Sequence, residues 1–266
     1  MICPKCKETL TKVNNSYKCV NNHSYDISKY GYVNLLLSKT NCGDPLESIR
    51  ARNNFLSKDY YKPLADKIQE LIVYYNNSSE IKSILDCGCG TGYYSSSIQK
   101  VYPNRFNITG TDISKDAIMY ASKKDKLSSY IVASSASLPL EDNTFDFAYI
   151  VFAPLFEEEL SRVLKPNGIF IKVSPNVKHL YELKEKIYDN PYLNDPEVLN
   201  LSCFEKLNSL TLTYNITTNS ADIQDLVGMT PYFYKTSKEN LERLNNVNCL
   251  DITIDFIIEV YKKAAN

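Results

Sequence analysis

The chain has 266 residues, 44% of them hydrophobic, and a formal net charge of −1, enough for one large domain with its own core plus a small appendage. No apolar run approaches the roughly 18 to 20 residues of a membrane-spanning helix, so no membrane partner is expected, and eight cysteines in a chain this long are too sparse for a disulfide scaffold. Met1 leads directly into a cysteine cluster without a charged-then-apolar leader, and the expected compartment is the cytoplasm.

The first 23 residues hold four soft metal ligands with the spacing Cys3-x2-Cys6-x12-Cys19-x3-His23. That pattern suits one tetrahedral zinc ion between two short hairpins, with Asn14-Asn15-Ser16 supplying the reversal. Charge is uneven along the chain. Residues 1–40 carry six lysines (Lys5, Lys7, Lys12, Lys18, Lys29, Lys39) against Glu8 and Asp26, a net of +4, whereas the remaining residues sum to −5. Tyr17, Tyr25, Tyr30 and Tyr32 lie among these lysines, a combination that suits unpaired RNA bases and phosphates and equally suits a solvated surface over a small core.

Tyr32 to Leu37 could form an edge strand, followed by a turn-rich break at Asn41-Cys42-Gly43-Asp44-Pro45. Ile49, Phe55, Leu64, Ile68, Leu71 and Ile72 fall at helical spacing, interrupted between Asp59 and Pro63. From Lys82 the pattern alternates. A strand at 83–86 precedes a glycine-rich loop and a helix over 93–101. Strands follow at 106–111, 130–133, 145–152 and 169–173, with Ser114 capping one intervening helix and Pro166-Asn167-Gly168 ending another that begins at Glu157. Such alternation predicts a doubly wound, mainly parallel α/β sheet. The tail reads as a helix over 179–188, an extended stretch over 210–216, a helix over 221–227 and a last strand over 252–261, a late pair able to close one sheet edge antiparallel.

The loop Asp86-Cys87-Gly88-Cys89-Gly90-Thr91-Gly92 follows a strand and opens a helix, where glycines let a ligand approach the backbone. It lacks the spacing of a dinucleotide fingerprint and the Gly-Lys-Ser/Thr of a phosphate loop. Asp86 would repel a phosphate but could hold an ammonium group, and Asp112 at the end of the next strand can accept both hydroxyls of a ribose. Together the two carboxylates bracket a nucleoside joined to an amino acid, the shape of S-adenosylmethionine, and 133–140 followed by Phe145-Asp146 resembles the stretch with which methyltransferases of this fold line the adenine pocket. Cys87 and Cys89 have a rival reading as a metal or redox pair, set against that of small buried thiols.

With both ends read, the chain resembles the bacterial 23S ribosomal RNA (guanine-N1)-methyltransferases, the family that includes the tylosin-resistance methyltransferases. The resemblance rests on the zinc ligands, the segment Tyr25 to Leu36, Ala51-Arg52 to Phe55-Leu56, Tyr61-x-Pro63-Leu64, Asp86 to Tyr94, Ala153-Pro154, Leu164-Lys165-Pro166 and Pro175 to Leu180, in family order over nearly the whole length. It implies a class I, Rossmann-like methyltransferase fold behind a zinc module, with zinc on Cys3, Cys6, Cys19 and His23. It also implies S-adenosylmethionine contacts from Tyr61, Gly90, Thr91, Asp112 and His179, beside Asp86 and Gly88 of the loop. Thr91 stands where relatives often have Glu, and the basic stretch some relatives carry after the zinc module is reduced to little more than Lys39. The implied substrate is a guanine in a hairpin of 23S rRNA, and the implied assembly a homodimer. No general base is named by the sequence, with His179, Glu157 and Glu158 as candidates. The expected organisation is a zinc and RNA module over 1–40, linker helices over 41–78 and a methyltransferase domain over 79–266. Two other functions fit parts of the pattern: a small-molecule methyltransferase, and a non-catalytic zinc-dependent RNA-binding protein.

Overall fold

A computed structural model describes residues 1–37, 43–76 and 78–264. Lys39 and the Asn41-Cys42 half of the expected break lie outside the described residues. The N-terminal module is a three-stranded antiparallel sheet of β1 (Thr11–Val13), β2 (Ser16–Lys18) and β3 (Ser24–Asp26). Asn14 makes the β1–β2 reversal in the left-handed region (φ 53°) that its short amide side chain tolerates. An antiparallel bridge between Ile2 and Thr9 forms the other hairpin.

The module is joined to the rest of the chain through strand pairing. Strand β4 (Val33–Asn34) lies parallel to β7 (Ser129–Val132) and forms the edge of an eight-stranded sheet. Next to β7 come β6 (Phe106–Asp112), β5 (Lys82–Cys87), β8 (Phe145–Val151) and β9 (Leu164–Pro175), all parallel. The antiparallel pair β11 (Cys249–Lys263) and β10 (Phe204–Asn219) completes the order β10-β11-β9-β8-β5-β6-β7-β4. This is the expected class I methyltransferase sheet with its antiparallel end.

Helices α1 (Leu46–Ser57), α2 (Lys62–Tyr75), α3 (Tyr93–Val101), α4 (Lys115–Lys124) and α5 (Glu157–Val163) fill the first two-thirds of the chain. In α1 and α2 the apolar residues named above are all buried, and Pro63 occupies the first turn of α2, where a missing N–H costs nothing. Ser114 caps α4, its Oγ accepting the Ala117 N–H at 3.3 Å. The tail adds α6 (Tyr181–Ile187), α7 (Ser220–Gly228), two short helices α8 (Tyr232–Lys235) and α9 (Lys238–Glu242), and a 3-10 turn over Arg243–Asn246. Helix α6 starts two residues later than expected because Leu180 is left-handed (φ 59°) and its N–H is bonded to the Thr253 carbonyl, so His179 sits in a turn.

The core has two faces. One holds Ile84, Ile108, Phe147, Ile171 and Phe256 under α2, α3 and the tail helices. The opposite face packs Leu85, Ile131, Ala148 and Phe170 against Leu160 and Val163 of α5, and also against Cys3, Leu10 and Cys19 of the module. Helix spans are short and none is long and apolar enough, among the described residues, to cross a membrane.

Candidate functional site

At the N-terminus the four expected ligands converge, their donor atoms all within 4.8 Å of one another. Cys6 Sγ lies 3.6 Å from Cys19 Sγ, and His23 Nδ1 lies 3.4 Å from both Cys3 Sγ and Cys19 Sγ. A zinc tetrahedron with Zn–S of about 2.3 Å and Zn–N of about 2.0 Å has edges of roughly 3.5 to 3.8 Å, so the donor set fits that ion. Two left-handed turns build it, at Lys7 (φ 63°) after Cys6 and at Asn22 (φ 60°) before His23. Burial raises the Cys3 thiol, but the Tyr25 hydroxyl 3.3 Å away and neighbouring backbone amides outweigh it and bring the pKa down to about 6. That favours the thiolate a metal requires.

The glycine loop caps the carboxyl ends of β5 and β6. Gly88 has φ 78°, and a Cβ there would stand 2.4 Å from Ala153 Cβ. Gly90 (φ 52°) is different: a Cβ would meet only the Arg52 side chain, at 3.7 Å, so this stretch of backbone is open to a ligand. Thr91 is buried beside it. Asp86 ends β5 with 2% of its surface exposed, and its Oδ2 accepts hydroxyl hydrogen bonds from Ser95 (2.6 Å) and Tyr149 (2.8 Å). Burial without a cation partner pushes its pKa up to about 7, against the pull of those two hydroxyls. A ligand ammonium would supply the missing countercharge.

Asp112 ends β6. Its Oδ2 accepts the Gly90 N–H (2.9 Å) and its Oδ1 the Ser114 N–H (2.8 Å), and burial raises its pKa against both amides and the Arg52 guanidinium. Each carboxylate oxygen keeps a second lone pair, which leaves room for a diol. The open Gly90 backbone, the uncompensated Asp86 and the anchored Asp112 together fit S-adenosylmethionine. Cys87 and Cys89 are buried beneath the loop, and burial raises both thiols, Cys87 to about 11. Among the described residues no metal-type cluster of three or more donors forms there, and burial with raised thiols suits small packed side chains.

A second group forms at the ends of β8 and β9. Tyr61, the N-cap of α2, is buried with its hydroxyl 3.5 Å from His179 Nε2. His179 Nδ1 accepts the Asp255 N–H (3.3 Å), and Asp255 in turn accepts hydrogen bonds from Asn176 and from the Lys178 N–H, fixing the turn that carries the histidine. Burial pushes His179 down to about 3, so the ring is neutral near pH 7. Phe152, Phe256 and Phe55 complete an aromatic cluster around Tyr61. Glu157 is occupied elsewhere, its Oε1 accepting from the Cys203 N–H (2.6 Å) and Ser202 Oγ (3.2 Å), and Glu158 is exposed.

Two family models match the chain, one described as "Methyltransferase domain" over residues 78–245 and one as "RlmA, N-terminal", a zinc ribbon, over residues 1–39. YxjB of Bacillus subtilis, a protein named for 23S rRNA (guanine-N(1)-) methylation, is 32% identical over 271 residues, covering 98% of this chain and 96% of its own. The chain belongs to the 23S rRNA (guanine-N1)-methyltransferase family. The 23S rRNA (guanine(748)-N(1))-methyltransferase of Streptomyces fradiae is 29% identical over 187 residues, covering 70% of this chain and 66% of its own, and a relative from Micromonospora griseorubida is likewise 29% identical over 209 residues. Within this guanine-N1 methyltransferase family, the large domain is an S-adenosylmethionine-dependent methyltransferase and residues 1–39 are the zinc ribbon, with its metal ligands in the first 23.

Sequence reasoning did not single out Ser95 and Tyr149, which hold Asp86, or Arg52, which reaches over Gly90. Ser95 carried a usable signal, since it lies one turn into the helix that the glycine loop opens. Tyr149 and Arg52 become visible only once the strands and α1 are assembled.

Proposed function

We propose that this protein transfers a methyl group from S-adenosylmethionine to N1 of a guanine in a hairpin of 23S rRNA. The observation that carries the reading is a zinc ribbon tethered to the methyltransferase sheet by β4, which follows it in the chain and pairs with β7 at the sheet edge. Five of the ribbon's lysines, Lys5, Lys7, Lys12, Lys18 and Lys29, are exposed and supply the charge that draws RNA phosphates. A small-molecule enzyme has no need of that surface.

When bound, the cofactor supplies a sulfonium methyl group. Asp86 would hold its ammonium, the backbone from Gly88 to Thr91 would follow its amino-acid portion, and Asp112 would accept the ribose hydroxyls. Tyr61 and His179 close the side toward β8. A neutral His179 adds no positive charge opposite a sulfonium, and its Nδ1 is already committed to Asp255, so its role is to shape the pocket. The guanine N1 proton leaves as the new N–C bond forms, and water is its acceptor in this reading. Most of the rate then comes from alignment of the two partners. The protein acts in the cytoplasm, where rRNA and free thiols coexist, and pairs as a homodimer, which sedimentation at micromolar concentration checks.

The test is transfer of labelled methyl to 23S rRNA fragments, mapped by primer-extension arrest, because N1-methylguanine cannot form a Watson–Crick pair. Transfer at one guanine, lost in Lys12→Glu/Lys18→Glu with cofactor affinity unchanged, is the expected result. No transfer to any rRNA fragment, with cofactor bound, overturns the reading.

A further inference from the structure

Phe152 is out of keeping with its surroundings. It has φ 56°, and five of the nine left-handed non-glycine residues described are asparagines, which adopt that region at little cost. A bulky aromatic there is strained, and strain of this kind persists only where neighbours over-determine it. Two contacts from β9 do so. The Phe152 N–H donates to the Val173 carbonyl (3.2 Å), and Lys172 Nζ donates to the Ala153 carbonyl (2.9 Å). Lys172 is only 4% exposed, and burial lowers its pKa, so a costly buried lysine is committed to holding this turn.

What the turn presents is an open aromatic surface. Phe152 is 44% exposed as a residue although the rings of Tyr61, Phe256 and His179 pack around it. It stacks on the His179 ring, centroids 6.1 Å apart and planes 22° apart, so one side is backed while the ring stays accessible.

Its place in the sheet points to the occupant. Asp112 on β6 marks the ribose side of the cofactor site and Asp86 on β5 the amino-acid side, while Phe152 ends β8, on the opposite flank of β5 from β6. Ala153, the next residue, abuts Gly88. The ring therefore borders the transfer site on the flank that the cofactor's nucleoside leaves free. A guanine presenting N1 must be unpaired and out of its stack, and an aromatic face replaces the stacking it loses.

We infer that Phe152 is the platform on which the target guanine stacks during transfer, with His179 as its backing and the Lys172–Ala153 bond holding it in place. This rests on the RNA-methylating reading above. Three variants test it: Phe152→Leu keeps apolar bulk without a π face, Phe152→Tyr keeps the face, and Phe152→Gly suits the left-handed backbone and guards against misfolding. Single-turnover methylation of a 23S rRNA fragment should slow about 10- to 100-fold in Phe152→Leu and Phe152→Gly and recover in Phe152→Tyr. S-adenosylhomocysteine affinity by calorimetry should stay within about twofold throughout. A fragment with 2-aminopurine at the mapped position should show fluorescence quenching with wild type and not with Phe152→Leu. Wild-type rates in Phe152→Leu would overturn the stacking role alone. Loss of S-adenosylhomocysteine binding in the same variant would also overturn it, assigning the ring to the cofactor. Failure of the wild-type protein to methylate RNA would instead remove the reading on which it rests.

Discussion

Asp86 gives the sharpest quantitative test of the cofactor site. With a pKa near 7 in the free protein, the carboxylate is ionised in about 0.7 of molecules at pH 7.4 and about 0.02 at pH 5.4. The α-ammonium it would bind has a pKa of about 7.7 to 8, so its charged fraction rises from about 0.7 to about 1 over the same interval. The product of the two fractions falls about 20-fold, and S-adenosylhomocysteine affinity should fall with it. Below pH 7 binding should also release close to one proton, visible in calorimetry as a dependence on buffer ionisation enthalpy. The stability of the free protein moves the opposite way. A carboxylate raised from 3.8 to about 7 contributes stability that is full below pH 4 and lost as pH rises through 7, roughly 4 kcal/mol at about 1.36 kcal/mol per pH unit. Asp86→Asn, whose amide oxygen can still accept from Ser95 and Tyr149, should therefore raise the Tm of the free protein at pH 8 while abolishing cofactor binding. A pH-independent affinity between 5.4 and 7.4, or an unchanged acid limb in Asp86→Asn, would refute the argument.

Three further outcomes follow from the packing. Arg162 donates to the carbonyls of Leu138 and Leu140 and pairs with Glu159 and Asp142, so Arg162→Ala should cost about 2–4 kcal/mol in urea denaturation, with Arg162→Lys recovering only part because a lysine lacks the planar fork. Gly92→Ala places a Cβ at φ 70°, 2.7 Å from Ala121 Cβ and 2.9 Å from Tyr130 Oη, and should lose about 2–4 kcal/mol by the same measurement. Cys6→Ser should lower zinc content well below one ion per chain and strip amide-exchange protection from β1 to β3 while β5 and β6 keep theirs; a protected ribbon without zinc would contradict a structural metal.

The alternating core was legible because each parallel strand is a short apolar run between turn signals, and the glycine loop, Asp86 and Asp112 fell where the strand ends place them. The zinc site was legible from ligand spacing alone. Other features were not. Residues 229–248 form short helical pieces with few buried apolar positions, so no period marks them. Strand β10 runs well beyond the expected 210–216 because its extra length is paid by pairing with β11, a long-range contact that local pattern does not report. Phe152 carries no glycine or asparagine to announce its left-handed turn, which is imposed by Val173 and Lys172 from a neighbouring strand. Leu10, Cys19 and Val33 share a core with Leu85 and Ile131, a long-range packing that composition along the chain does not report.

The β4–β7 pair acts as a caliper. Val33 lies opposite Ile131 and Asn34 opposite Val132, with Leu35 N–H on the Val132 carbonyl and the Ile2 N–H on the Pro139 carbonyl, so the span from ribbon to glycine loop is fixed by strand register. A slip of one residue would move the jaw by about 3.3 Å along the strand. The two residues of β4 are where the spacing between zinc ribbon and cofactor loop is set.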